Sequence, residues 1–331
     1  MDFDEIGFMF ADLVLAGLGD GLWSALIDDL RFGLAFAGSA DPAAVRTAAL
    51  VYRRERGLLA SEDLRSWLAE RELVAEDLAA HLRRVVVLAS GEAGSAGGQD
   101  PSADEIAGSL RAEAVLSGAL QSCGLLLANW AAAARARGTL YELPTAPADG
   151  LIELARADAV SALDALAGDD LDARARRVAA LKAEYDAFAV EVADEEAIER
   201  LLRRHRLDWQ RYRFRQAVFE QEPAAREAAL CVRQDGMSLE EVAELARVTV
   251  IECTQRLDEA GKHMNGVLLA AAPGELAGPY PHEDGFILVE VLERSMPDLN
   301  DHALTTRART ELVAEALERH LVGRTHWHVA V

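Results

Sequence analysis

Eight histidines and three cysteines are the side chains of this 331-residue chain best suited to metal or nucleophilic chemistry. His326 and His328 alternate around Trp327, so on a strand they share a face; joined by a carboxylate or by His320 they would form a zinc-ligand set. With no cysteine partner nearby, the expectation is instead a docked Trp327 with both imidazoles solvated. Cys123, Cys231 and Cys253 are odd in number and widely spaced with no CxxC pair, which argues against a disulfide framework and against a zinc site. His282, in the turn before Phe286, reads as an exposed turn residue. The runs RARR (Arg174–Arg177) and RRHR (Arg203–Arg206) have acidic neighbours and read as solvated helix faces. No dinucleotide fingerprint, P-loop, HExxH or Ser/His/Asp context occurs at workable spacing.

Charge narrows the partners. Thirty-four basic and 56 acidic side chains give a formal charge of -22, a field that repels phosphate and anionic headgroups. Nucleic acid and membrane are excluded on that ground, and a cationic or neutral peptide is favoured. The cysteine usage suits a reducing compartment. The opening MDFDEIGFMFADLVLAGLGDGLW carries Asp2, Asp4 and Glu5 where an export signal needs a basic start, so a cytoplasmic location is expected. The uncharged stretch Val115–Ala134 approaches membrane-spanning length, but Gln121, Asn129 and many alanines dilute it, and it reads as a buried core helix.

The elements that must position any site are mostly helical. SEDLRSWLAERELVAEDLAAHLRRVVVL, from Ser61, spaces Leu64, Trp67, Leu68, Leu78, Leu82 and Val86 as two amphipathic helices, with Ser61 as the N-cap. Gly91–Asp100 is a flexible connector, and Gly138–Gly150 is a proline-containing break. Helical periodicity returns in LIELARADAVSALDAL, DLDARARRVAALKAEYDAFAVEV and DEEAIERLLRRHRLDW. At Tyr212 the pattern changes: YRFRQAVF reads as a strand, followed by two helices, the second capped by Ser238 with Glu240 and Glu241 behind it. KHMNGVLLAAAPG is a helix stopped at Pro273, the chain turns at Asp284-Gly285, and a strand starts at Phe286. A last helix runs from about Asp301 to Gly323. The order predicts an α+β chain, mostly α, with a small sheet module embedded in a helical body.

Gly274-Glu275-Leu276-Ala277-Gly278-Pro279, followed by Asp284-Gly285-Phe286-Ile287-Leu288-Val289, resembles the parvulin (PpiC-type) prolyl isomerase motif "GE(h)SGPV...GxHIIxV", with h apolar. RQAVFEQEPAAREAALCVRQDGMSLEEVAELA resembles the opening of the same domain. The likeness covers about Arg211 to Arg294. A helical N-terminal region, a late parvulin domain and a C-terminal helix is also the layout of SurA-like foldases. RERGLLASEDLRSWLAERELVAEDL and LCVRQDGMSLEEVA are similar to the cytosolic members encoded with ribosomal peptide natural products such as crocagin. The resemblance implies a helical SurA-like region over 1-205, a parvulin-like (FKBP-like) antiparallel sheet domain over 206-297, and a C-terminal helix over 298-331 that packs back on the N-terminal region.

Prolyl isomerisation needs neither nucleophile nor metal, only desolvation and polarisation of an amide whose rotation barrier is about 20 kcal/mol. Active parvulins place two hydrogen-bonded histidines on adjacent strands, beside a Cys or Asp and below a proline pocket. Here the resemblance puts Gln216 and Ile287 at the histidine positions, and Ala260, Met264 and Leu269 at the pocket positions; Cys253 and Asp258 are both open for the Cys/Asp role. The expected protein is therefore a non-catalytic peptide binder, holding a precursor peptide in ribosomal peptide natural product biosynthesis, with no cofactor, no metal and no catalytic residue. Gln216, Met264, Leu268, Leu269, Phe286 and Ile287 are the expected contacts. An active isomerase or foldase chaperone using Gln216 with Asp258 or His282, and a scaffold for a biosynthetic enzyme, are the two other readings.

Overall fold

The computed structural model describes residues 10–90, 100–157 and 170–321. Several expectations fall outside them: the acidic N-terminus, the Gly91–Gln99 part of the connector, the second half of the stretch from Leu151 to Leu166, the helix end near Gly323 and the THWH segment. The chain is α+β and mostly helical, with one small antiparallel sheet. It divides into two compact units, residues 1–190 with 317–331, and residues 191–316.

The first unit is helical: α1 (Phe10–Asp20), α2 (Leu22–Phe36), α3 (Pro42–Glu55), α4 (Ser61–Ala69), α5 (Ala75–Ser90), α6 (Ala103–Leu116), α7 (Ala119–Ala136), α8 (Asp149–Ala155) and α9 (Leu171–Val192). Its main core gathers Val14, Leu15, Trp23, Leu30, Leu110, Leu127, Trp130 and Leu181 from five helices. Asp41 starts α3 by accepting from the amides of Ala43 and Ala44, with Pro42 directly behind it. The two helices expected from Ser61 are present as α4 and α5, but the first cap is Ala60, whose amide donates to Asp63 at 3.3 Å. The uncharged stretch from Val115 is not one helix. Gly118, at φ 83°, breaks it between α6 and α7, which are bent by 68°. No single described helix is long and apolar enough to cross a membrane. Cys123, Leu127, Trp130 and Ala134 carry the inward face of α7, and burial, with Asp20 nearby, pushes the Cys123 thiol up to about 11.

A buried polar cluster joins α5 to α6 in this unit. On α5, His81 and Arg84 stand one turn apart and both reach Glu113 of α6. His81 Nδ1 lies 2.8 Å from Glu113 Oε1, and Arg84 donates through Nε and a terminal nitrogen to Oε2. Burial by itself would raise the Glu113 carboxyl; hydrogen bonding and charge from His81, and the charge and hydrogen bonds of Arg84, outweigh it and hold the group below its ordinary value. An ionised carboxylate only accepts, so the His81 Nδ1 carries the proton. The Tyr52 ring meets His81 edge-on at 5.7 Å, and its hydroxyl donates to the Leu116 carbonyl.

The second unit contains α10 (Glu195–Arg204), β1 (Arg211–Phe219), α11 (Glu222–Gln234), α12 (Leu239–Ala246), β2 (Val250–Arg256), α13 (Lys262–Ala270), β3 (Leu276–His282), β4 (Gly285–Ser295) and the greater part of α14 (His302–Leu321). The strands pair antiparallel in the order β2-β1-β4-β3. Ser238 caps α12 as expected: its hydroxyl accepts the Glu241 amide while Glu241 accepts the Ser238 amide at 2.8 Å. Leu304 and Ala308 of α14 close a separate cluster with Ile198, Leu201, Leu202 and Trp209.

Two strands were not visible as such in the sequence. β2, VIECTQR, has little apolar alternation, and β3, LAGPYPH, carries Pro279 and Pro281, which belong only on a sheet edge. The β3–β4 hairpin turns through Glu283 and Asp284, so that His282 pairs with Gly285. Gly285 has φ 134°, and a Cβ there would overlap the Phe219 carbonyl oxygen, so only glycine fits.

Candidate functional site

Alternation along β1 sorts its side chains onto two faces of the sheet. Tyr212, Phe214, Gln216 and Val218 face α13, while Ala217 and Phe219 face α11 and α12. The α13 side is sealed by Tyr212, Phe214, Leu257, Val267, Leu268, Ile287, Val289 and Val291. Gln216 is the polar interruption in that row. It lies opposite Ile251 on β2 and Val289 on β4, and Ile287 is two pairs further along β4, opposite Val218. Gln216 and Ile287 therefore sit on adjacent strands and the same face, diagonal to one another. Gln216 is half-buried, and its side-chain amide makes no hydrogen bond to a described residue.

The six expected contacts do not form one surface. Gln216, Met264 and Ile287 share the α13 face, with Met264 partly buried against the cluster. Ile287 and Leu268 are at most 1% exposed, so they support that face from within and present nothing to a ligand. Leu269, the next residue on α13, is 48% exposed and points away from the cluster. Phe286 is on the opposite side of the sheet, packed with Phe219, Ala225 and Leu288. A one-residue step along a strand moves a side chain through the sheet, which is why Phe286 and Ile287 part company. The pocket position Ala260 is buried in the α13 cluster.

The two residues left open for the Cys/Asp position are now separable. Cys253 lies on β2 opposite Phe214, half-buried and packed on the α13 cluster, two pairs along from Gln216. Asp258 is past the end of β2 and is held by Arg307 of α14. His282 Nδ1 accepts the Asp284 amide at 3.2 Å and is occupied in the hairpin turn. His263 meets Tyr280 edge-on at 6.2 Å. Among the described residues, no three His, Cys, Asp or Glu side chains come together as a metal-binding group.

Sequence reasoning missed the other face of the same strands. Arg213 reaches Glu252 at 3.0 Å and Glu293 at 3.5 Å; Arg215 reaches Glu240 at 2.5 Å, Glu252 at 3.5 Å and Glu290 at 3.8 Å. The hydrogen bond from Arg213, with the charges of both arginines, holds the Glu252 carboxyl below its ordinary value. Four glutamates surround two arginines, so this partly exposed lattice keeps a surplus of negative charge. Its signal was present in the Arg-x-Arg-x-Arg alternation of RYRFRQ, which puts Arg211, Arg213 and Arg215 on one side.

The two outer edges of the sheet also differ. Arg233 of α11 donates to the carbonyls of Leu276 and Gly278, each at 2.9 Å, and Pro279 and Pro281 have no N–H to offer, so β3 is closed. Glu252 and Thr254 on β2 are exposed. In the helical unit a concavity of about 510 Å³ lies between the Leu140–Ala146 segment and Arg176, Arg177, Ala180 and Leu181 of α9; none of the six expected contacts lines it. No family model, no curated protein and no solved structure matches this chain.

Proposed function

We propose that the chain is a non-catalytic peptide-binding protein, a degenerate parvulin-like sheet domain with a SurA-like helical region, which holds an extended precursor peptide during ribosomal peptide natural product biosynthesis in the cytoplasm. The observation that carries this reading is the adjacency of Gln216 and Ile287 on one sheet face, at the two positions where the resembled enzymes carry histidines. An uncharged amide beside a buried hydrocarbon has no imidazole network with which to polarise a prolyl amide, and the barrier of about 20 kcal/mol stays in place. What remains is a sheet with an apolar helix-covered face, suited to gripping an extended chain through main-chain hydrogen bonds and alternate side chains. The acidic surplus, with a formal charge of -22, favours basic segments.

Exchange spectroscopy on a proline-containing peptide tests the absence of catalysis: the cis/trans rate with the protein present should equal the spontaneous one. Acceleration by tenfold or more would establish an isomerase instead. Calorimetric titration of a small precursor peptide encoded beside the gene tests the binding itself, with saturable heat expected. Stable co-purification of a biosynthetic enzyme with no affinity for the peptide would favour a scaffold.

A further inference from the structure

The pairing of β2 fixes which of its backbone groups point outward. Leu257 N–H donates to the Gln210 carbonyl at 3.0 Å, one step beyond the Arg211–Arg256 pair. In an antiparallel ladder hydrogen-bonded and non-bonded pairs alternate, so Gln255, Cys253 and Ile251 direct their N–H and C=O groups toward β1. Arg256, Thr254, Glu252 and Val250 direct theirs away from it. Arg256 agrees with that assignment: its amide donates to Glu259 at 3.0 Å and its carbonyl accepts from Ala260 at 3.2 Å, both in the turn that follows the strand. For Glu252 and Thr254, no described residue hydrogen-bonds the outward N–H or C=O. An exposed run of such groups is a template for another strand.

The side chains that flank this edge differ by face. On the α13 side stand Ile251, which is 52% exposed, and half-buried Cys253, next to Gln216. On the other side stand Glu252 and Thr254, backed by the lattice in which Glu240, Glu252, Glu290 and Glu293 outnumber Arg213 and Arg215 by two charges. A strand laid beside β2 would put successive side chains alternately on the apolar shelf and on the acidic surface.

We propose that the outer edge of β2 is a docking edge that takes up, as a fifth strand, an extended peptide in which apolar and basic residues alternate. The proposal rests on the peptide-binding reading above and adds where the peptide lies and what sequence pattern it carries. The opposite edge is unsuited to the role because Arg233 and the two prolines already occupy or remove its backbone groups.

The test uses the full chain and a blocked octapeptide of alternating valine and lysine. Binding is read by calorimetry and by amide hydrogen exchange. The probe should bind, and the Glu252 and Thr254 amides should become protected. Two further copies carry N-methyl groups, one on the valines and the other on the lysines. The copy whose methyl groups face β2 should lose at least tenfold in affinity and the other should bind as before, because alternate amides of a strand point to opposite edges. An alternating valine–glutamate octapeptide should bind at least tenfold more weakly than the lysine probe. Thr254→Pro, which deletes an outward N–H, should weaken the probe without altering the far-UV circular dichroism.

Equal affinity of the methylated and unmethylated probes, or binding with unchanged exchange at Glu252 and Thr254, overturns the edge assignment and leaves peptide binding standing. Binding of the precursor peptide but not of the valine–lysine probe overturns the proposed pattern in the same way. Failure of both peptides to bind overturns the peptide-binding reading, and the docking edge with it.

Discussion

The helical unit holds one set of charges buried in its interior, and the sheet unit displays another on its surface. Glu113, His81 and Arg84 are each less than one-tenth exposed and satisfy one another, whereas Arg213, Glu252 and Glu293 share an ion-pair lattice in water. The chemistry is the same, a carboxylate with a guanidinium, but the consequence differs. Removing one member of a buried set leaves an uncompensated charge in a low-dielectric interior, while an exposed partner is replaced by solvent. Buried ions of this kind lock helices in register; exposed ones can be rearranged when a ligand arrives, which is what a binding surface requires.

Substitutions on the two sides of this contrast should separate cleanly. Glu113→Ala is expected to cost about 3–5 kcal/mol in a urea unfolding experiment, the loss typical of breaking a buried pair. A cost no greater than that of Arg213→Ala would break the comparison. Within the sheet unit, Leu268→Ala should cost about 2–5 kcal/mol, since its side chain is fully enclosed, while Leu269→Ala should stay within about 0.5 kcal/mol. That pair of neighbours sharpens the division between residues that build the α13 face and residues that lie outside it.

Gly285→Ala should cost about 1–3 kcal/mol for the backbone conformation alone, with the overlap on Phe219 added, and would show as a lowered melting temperature and loss of protection in the β3–β4 hairpin. Acid adds a smaller, graded effect. Because the Glu113 carboxyl is held below its ordinary value of 4.5 in the folded chain, its contribution is complete above that value and is lost as the pH falls through the folded pKa. Glu113→Gln should remove this part of the pH dependence between neutral and strongly acidic solution. The smallest effect belongs to Arg213→Ala: no change in melting temperature, but a few-fold tighter binding of the valine–lysine probe, because the acidic lattice is left less compensated.

Helices with strong periodicity and polar caps were legible in the sequence, as α12 behind Ser238 and α10 behind Asp194 show. So were β1 and the strand from Phe286, where apolar alternation and glycine placement agree, while the turn expected at Asp284-Gly285 falls one residue earlier, at Glu283 and Asp284. The edge strands were not, because an edge needs little apolar alternation: β2 exposes Glu252 and Thr254, and β3 is written in prolines. The break at Gly118 was hidden inside an apolar run whose composition alone suggested a single helix. Of the expected contacts, Gln216, Met264 and Ile287 were brought to one face, but Phe286 fell on the other because a strand's period of two cannot be read across a contiguous pair as one surface. The buried His81–Arg84–Glu113 set was invisible because Glu113 stands 32 positions from His81 in the sequence and on a different helix.

The Arg233 clamp on β3 sets an upper limit on what the sheet can become. A sheet with two open margins can recruit copies of itself without end, as in a fibril; one whose far margin is stoppered by a guanidinium and two imino acids has a single growth point. If two such chains meet margin to margin through β2, each consumes the other's growth point, and the assembly terminates as a symmetric pair.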